Sequence, residues 1–219
     1  MTELKFLLEQ VETHDYIRDI AEKFNYFFKE YEMGLLELQS DIEIIDLEWQ
    51  ARYGYSPFEH IKTRIKSPMS LKEKIEKKGV DFTPEAIREN IFDIIGVRIV
   101  TSFEDDVYQI YELLKNRNDL RIKRVKDYIK NPKPSGYKSL HLIVETELVL
   151  SEGVKWIPAE IQIRTLAMDF FASTEHKLQY KYNTKALSDD IRNELKEIAD
   201  VSSALDQKMT EVRNTILLD

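Results

Sequence analysis

Two alternating runs joined by a short turn constrain this chain most. Residues 139–148, SLHLIVETEL, and 156–165, WIPAEIQIRT, place apolar side chains at every second position, as half-buried strands do. Ser151-Glu152-Gly153 between them supplies a turn, so the two pair most simply as antiparallel neighbours. In the second run Glu160, Gln162 and Arg164 alternate with Ala159, Ile161 and Ile163, which puts three polar side chains on one strand face. Leading into the first run stand Lys133, a Pro-Ser-Gly turn, Tyr137 and Lys138, and the run itself opens with Ser139 and His141. A solvated strand face explains either cluster alone. The two together suit a site for an anionic, ring-bearing ligand.

The rest of the chain supplies the layers around that hairpin. IIGVRIVT (94–101) reads as a further strand, and LRIKRVKDY (120–128) as an edge strand whose cations tolerate exposure. Helical spacing runs over 3–33 and 35–52; a break near His14 is one option, and Gly34 interrupts without having to end the helix. In the segment 58–78, Ser67-Pro68 marks a turn and Ser70 stands as the cap of a helix that Gly79 ends. Thr83-Pro84 opens a short helix to about 92, and Thr101 or Ser102 opens another with Val107, Ile110, Tyr111 and Leu114 as its buried side. A long helix follows from about Ala167 to Tyr182. After a Ser188 cap, apolar residues at 191, 195, 198, 201, 205, 209, 212 and 216 form a stripe. It reads first as a face docked on the domain and second as a contact between subunits. The expected fold is α/β or α+β: a mixed four- to five-stranded sheet flanked by helices, with long N- and C-terminal helices, in a single domain over 1–219.

Charge and composition exclude several functions. The 32 basic and 40 acidic residues leave a net charge of -8, which argues against nonspecific nucleic-acid binding as the main task. Basic islands nevertheless occur at 59–78 and 120–141, the pattern of a focused anion site in an acidic chain. With no cysteine there is neither a disulfide framework nor a thiolate site. Neither GxGxxG nor GxxxxGK is present. No long apolar run and no basic leader is visible, so a cytoplasmic protein without a membrane span is expected.

Several residues carry chemistry on their own terms. Asp93 precedes a strand and Glu160 lies near the start of another, positions suited to Mg2+ held jointly with phosphate oxygens, or simply to a turn and an exposed strand face. Arg98 interrupts an apolar strand on the side of Gly96 and needs an acid or an anionic ligand. Arg64 and Lys66, with Lys72 and Lys74, form a weak polyphosphate-clamp pattern. Tyr137 can stack on a base, and His141 is either a phosphate contact or an ordinary strand histidine. His14-Asp15 lacks the partners of a metal phosphohydrolase; His14, His60 and His176 are too scattered for zinc, and His176 reads as structural.

The ordered set HIKTRIKS, DIIGVRI, RVKDYIKNPKPSGYKSLH and AEIQIRTLAMDFFASTEHK resembles the synthetase domain of the RelA/SpoT family, specifically the small alarmone synthetases. The resemblance spans roughly 50–185 as a catalytic core of nucleotidyltransferase-like synthetase type, with helical extensions at 1–50 and 188–217. It implies transfer of the β,γ-pyrophosphate of ATP to the ribose 3'-hydroxyl of GDP or GTP, giving ppGpp or pppGpp and AMP, without hydrolase activity. It implies Asp93 and Glu160 as Mg2+ carboxylates, with Asp93 placed to activate the 3'-hydroxyl. Arg64 and Arg98 would flank adenine, and Lys66, Lys72 and Lys74 would face the ATP phosphates. Tyr137 would stack on guanine, and Lys133, Lys138 and His141 would meet acceptor phosphates. Gln162 and Arg164 would form the wall around Glu160. Arg124-Val125-Lys126-Asp127 matches a basic form of the family's RxKD motif, and Asp169 stands as a guanine reader or an early-helix acid. Such synthetases are commonly homotetramers, which the terminal helices would serve, and regulation by alarmone or RNA is open. The rival readings are an inactive nucleotide-sensing or RNA-binding module on the same fold, a nucleotidyltransferase that releases pyrophosphate, and a purely structural helical protein.

Overall fold

A computed structural model describes the backbone of residues 2–180 and 188–218, and the side chains of residue 18 and of 22–178 and 188–216. The sheet is built from β1 (His60–Ile65), β2 (Ile95–Thr101), β3 (Leu120–Asp127), β4 (Leu140–Leu150) and β5 (Gly153–Thr165). Its order is β1-β2-β5-β4-β3. Only β2 and β5 run parallel; the other three neighbouring pairs are antiparallel, and Leu150 opposes Gly153 at the tip of the β4-β5 hairpin. The expected hairpin and the mixed sheet are both present.

One face of this sheet is the core. Val97, Ile99, Leu140, Leu142, Val144, Ala159, Ile161 and Ile163 are buried there. Helix α1 (Thr2–Tyr53) and helix α4 (Glu104–Lys115) pack on it, burying Phe27, Tyr31, Leu38, Ile42 and Ile45 from the first and Val107, Ile110 and Leu114 from the second. Each such aliphatic side chain removed from water contributes about 2 kcal/mol. The remaining helices are α2 (Pro68–Lys78), α3 (Pro84–Asn90), α5 (Leu166–Tyr180) and α6 (Asp189–Leu218).

Helix α1 runs unbroken past both His14 and Gly34. At Gly34 the reason is close approach: an added Cβ would lie 2.9 Å from Ile157 Cγ2 on β5. The glycine is where the helix crosses the sheet.

Four details differ from the expectations. The segment 60–65 is a strand, which the helix and turn signals around it concealed. Ser67, not Ser70, caps α2, with its side chain accepting from the Ser70 backbone N–H and Pro68 in the first turn. Phe103 occupies the cap position of α4 without a side-chain hydrogen bond, while Thr101 Oγ1 bonds the Phe103 carbonyl at 3.0 Å. The stripe on α6 is not a docked face: Leu195 is buried, but Ile191, Ile198, Val201, Leu205, Met209, Val212 and Ile216 are all exposed. The part of α5 expected beyond Tyr180 lies outside the described residues.

Candidate active site

The second face of the sheet is polar because its ladder positions are. Paired residues in a sheet share a face, and the register sets two adjacent rows across all five strands. One row runs Lys62, Arg98, Gln162, His141 and Lys126; the next runs Arg64, Gly96, Glu160, Ile143 and Arg124. Five of the candidate site residues therefore lie side by side, although they span about a hundred positions of sequence. Gly96 makes this possible, since a Cβ there would lie 3.3 Å from Arg64 Nε; the Arg64 side chain lies across the glycine.

A closed ring of hydrogen bonds fixes the middle of the face. Glu160 Oε1 is 3.1 Å from His141 Nδ1, and His141 Nε2 is 2.9 Å from the Tyr137 hydroxyl. Arg164 donates to that hydroxyl at 3.1 Å and to Gln162 Oε1 at 2.5 Å, and Gln162 Nε2 returns to Glu160 Oε2 at 3.3 Å. An ionised Glu160 takes the hydrogen of Nδ1, which leaves Nε2 to accept from Tyr137. Burial is the largest single influence and would raise the Glu160 pKa; the His141 hydrogen bond and charge, with the Gln162 hydrogen bond, together outweigh it and a smaller upward push from Asp93, and hold the group below the usual carboxylate range. Burial raises Tyr137, so it stays a neutral hydroxyl. Arg164 is buried, and its fork points at Gln162, Tyr137 and Asp169.

Asp93 sits between α3 and β2, where the Lys66 backbone N–H bonds the Ile94 carbonyl and brings the end of β1 alongside. Its Oδ2 meets Lys74 Nζ at 2.6 Å and Lys66 Nζ at 3.2 Å. Burial pushes this carboxyl up, but the Lys74 hydrogen bond and the two ammonium charges prevail and hold it low. Asp93 Oδ1 is buried without a hydrogen-bond partner. An orphaned carboxylate oxygen, in electrostatic reach of Glu160, is the donor set a hard divalent cation takes when substrate oxygens complete its shell. No group of three or more such side chains converges among the described residues.

Other expected residues are placed less simply. Lys133 lies 4.5 Å over the Tyr137 ring. Asp169, offered as a guanine reader, points at Arg98 and Arg164, each 3.4 Å from Oδ1, and lies 3.7 Å from His60. Lys72 is not brought to the cluster; it is exposed and lies 3.8 Å from Glu76, one turn along α2. Lys138 turns away toward α6 and donates to Ser203 at 2.5 Å. His60 carried no signal beyond being one of four histidines, and the side chains of Ser173 and Lys177 on α5 were likewise not singled out.

Two cavities open over the rows. The larger, about 770 Å³, is lined by Lys133, Ser135, Tyr137, His141 and Arg164 on one side and by Ala172, Ser173 and His176 of α5 on the other. The smaller, about 210 Å³, is lined by Lys62, Gly96 and Glu160. Arg64, Arg98 and Gln162 border both. The arrangement is two adjoining cation-lined compartments, the smaller also lined by Glu160, shaped for two anionic ligands meeting edge to edge.

Residues 63–185 match the family described as "Region found in RelA / SpoT proteins". The chain belongs to the RelA/SpoT family. The match begins inside β1, one residue after Lys62, and takes in β2 to β5 whole. Among RelA/SpoT relatives, GTP pyrophosphokinase YwaC of Bacillus subtilis is 42% identical over 205 residues, covering 93% of this chain and 97% of YwaC. The crystal structure of small alarmone synthetase 2 from Bacillus subtilis superposes with a TM-score of 0.79 at 43% identity, over 89% of this chain and 99% of that one. Small alarmone synthetase 1 of the same organism, bound to its product pppGpp, superposes at 0.78 with 33% identity, over 89% and 98% of the two chains.

Proposed function

We propose that this chain transfers the β,γ-pyrophosphate of ATP to the ribose 3'-hydroxyl of GDP or GTP, releasing AMP and giving ppGpp or pppGpp. The observation that carries this reading is the pair Asp93 and Glu160, each in reach of the other's charge, with Glu160 lining the smaller of two cation-lined cavities that share Arg64, Arg98 and Gln162. In the step itself the 3'-oxygen bonds to the β-phosphorus, the bridge between the α- and β-phosphates breaks, and AMP leaves with the bonding electrons. Asp93 and Glu160 would hold a divalent cation, Mg2+ in this reading, which would supply charge neutralisation for the phosphates. Lys66 and Lys74 add two ammonium groups at the same place, so charge on the transferring group meets preorganised cations. Asp93 receives the hydroxyl proton. Its lysines keep it ionised and thus a weak base, which makes that proton transfer late and leaves most of the rate to alignment.

Tyr137, locked by His141 and Arg164, offers the acceptor base a stacking partner, and Arg64 and Arg98 offer the donor base guanidinium planes. Lys133 and His141 are assigned to acceptor phosphates. The printed name of YwaC, a GTP pyrophosphokinase, and the pppGpp bound to small alarmone synthetase 1 support the same reading. The reading places the catalytic core at 50–185 within a single domain and uses the terminal helices to assemble a homotetramer, supported by the exposed apolar stripe of α6. No helix among the described residues is long and apolar enough to cross a membrane. Incubation with ATP, GDP and Mg2+ tests the proposal: AMP and ppGpp form together in equal amounts. Binding of both nucleotides without AMP marks a sensor, and free pyrophosphate marks a nucleotidyltransferase.

A further inference from the structure

Helix α6 touches the loop that carries Tyr137 at two points on one helical face. Gly136 has φ 84°, and an added Cβ there would come 2.4 Å from Ala199 Cβ, so the loop lies flush on the helix. One turn further, Ser203 Oγ takes the hydrogen bond of Lys138 Nζ at 2.5 Å. Asp206, on the same face, accepts from Thr165 Oγ1 at 2.5 Å, and that oxygen also accepts the Met168 N–H where α5 begins. Within the loop, Lys133 N–H bonds the Tyr137 carbonyl and Gly136 N–H bonds the Lys133 carbonyl. The loop is thus a closed turn held against α6 at Gly136 and at Lys138.

We infer that Lys138 is a positioning residue, and that it and Ser203 of α6 hold the Tyr137 loop in its acceptor-binding conformation without Lys138 itself touching a phosphate. Lys133, Ser135 and Tyr137 line the larger cavity, whereas Lys138 is not among its lining residues. The Lys138 ammonium instead lies in electrostatic reach of acids on other elements: its charge opposes burial at Glu104 on α4 and Asp206 on α6, although burial prevails and holds both carboxyls above their usual range. A cation bonded to the Ser203 hydroxyl and outside the cavity lining is directed at α6 rather than at a ligand. Because Tyr137 stands between Gly136 and Lys138, a tether on each side sets where its ring can go.

The inference rests on the proposed transfer reaction for its kinetic test and is independent of it for its structural one. In the full chain, Ser203→Ala raises the KM for GDP and GTP by about tenfold, the lower end of the scale for one hydrogen bond to a charged group, with the KM for ATP unchanged. Lys138→Met gives a similar rise, the double variant is no worse than Lys138→Met alone, and Ser203→Thr restores the original value. An acceptor KM raised by Lys138→Met but not by Ser203→Ala overturns the inference, as do additive effects, because each means that the lysine meets substrate directly. Hydrogen exchange without nucleotide gives the second readout. The Lys133 and Gly136 amides exchange faster in Ser203→Ala; equal rates overturn the tether even if the wild-type chain forms no AMP.

Discussion

Lys74 Nζ and Asp93 Oδ2 lie 2.6 Å apart, a bond that ties helix α2 to the turn before β2 and helps set the charge state of that carboxylate. Burial raises the Asp93 pKa, and Lys74 followed by Lys66 lowers it further than burial raises it. A carboxyl depressed in the folded state stabilises the fold above its unfolded pKa, and that contribution is lost as pH falls through the folded value. In Lys74→Met the largest opposing influence is gone, so the pKa of Asp93 moves up and its stabilisation at neutral pH shrinks. The expected outcome is an acid limb of kcat/KM for AMP formation shifted to higher pH in Lys74→Met. A urea midpoint that drops earlier on acidification should accompany it. An unshifted limb would remove Asp93 from the rate-determining ionisation.

Tyr137 carries two separable functions, a ring and a hydroxyl. The hydroxyl bridges His141 and Arg164, and the ring faces the cavity beside Lys133. Loss of a base-aromatic stack costs about 1–3 kcal/mol, so Tyr137→Ala raises the KM for GDP by roughly 5- to 150-fold. Tyr137→Phe keeps the stack and opens the hydrogen-bonded ring, so its effect falls more on kcat through Glu160 than on KM. Steady-state kinetics with each nucleotide varied separate the two, and the KM for ATP stays near its original value in both.

What was legible in the sequence followed from periodicity. The β4-β5 hairpin, the polar face of Glu160 and Gln162, and the placement of Arg98 beside Gly96 come from two-residue alternation, which depends only on neighbours in the chain. β1 escaped because HIKTRI lies in a run of cations at a sheet edge, where Ile61 remains exposed and the alternation carries little hydrophobic contrast. The direction of Arg164 was legible and its burial was not, since that depends on Tyr137 and Asp169 from other segments. Lys72, Lys74 and Lys138 look alike in sequence. Helix phase turns Lys72 outward and Lys74 inward, and α6, more than sixty residues on, draws Lys138 away from the cavity.

Gly34 gives a test of the fold alone. In an exposed helix, alanine in place of glycine stabilises by about 1 kcal/mol. Here the new Cβ would sit 2.9 Å from Ile157 Cγ2 and 3.0 Å from Ile157 Cβ, and the latter cannot swing aside. Overpacking a tight contact costs about 1–3 kcal/mol, which exceeds the propensity gain. Gly34→Ala is therefore expected to lower the urea midpoint modestly. A raised midpoint would mean that α1 can lift from the sheet without loss.

Leu205 offers the converse case, a side chain whose removal should leave the single chain unharmed. It is 58% exposed on α6 and lines a groove of about 870 Å³ with Leu166, Phe170, Ile198, Val201 and Met209. Apolar residues at this density on one helix face are unusual for a surface that meets only water, and the groove continues onto Phe170 of α5. If four copies assemble through this face, light scattering of the original chain reports four times 25.9 kDa. A glutamate buried in such a contact carries an unpaired charge that the assembly must desolvate. Leu205→Glu is then expected to release smaller species with the unfolding midpoint of the isolated chain preserved, because the side chain makes little buried contact within one copy. An unchanged mass for Leu205→Glu would put the assembly surface elsewhere, with the exposed Leu36, Ile44 and Leu47 of α1 as the next face to alter.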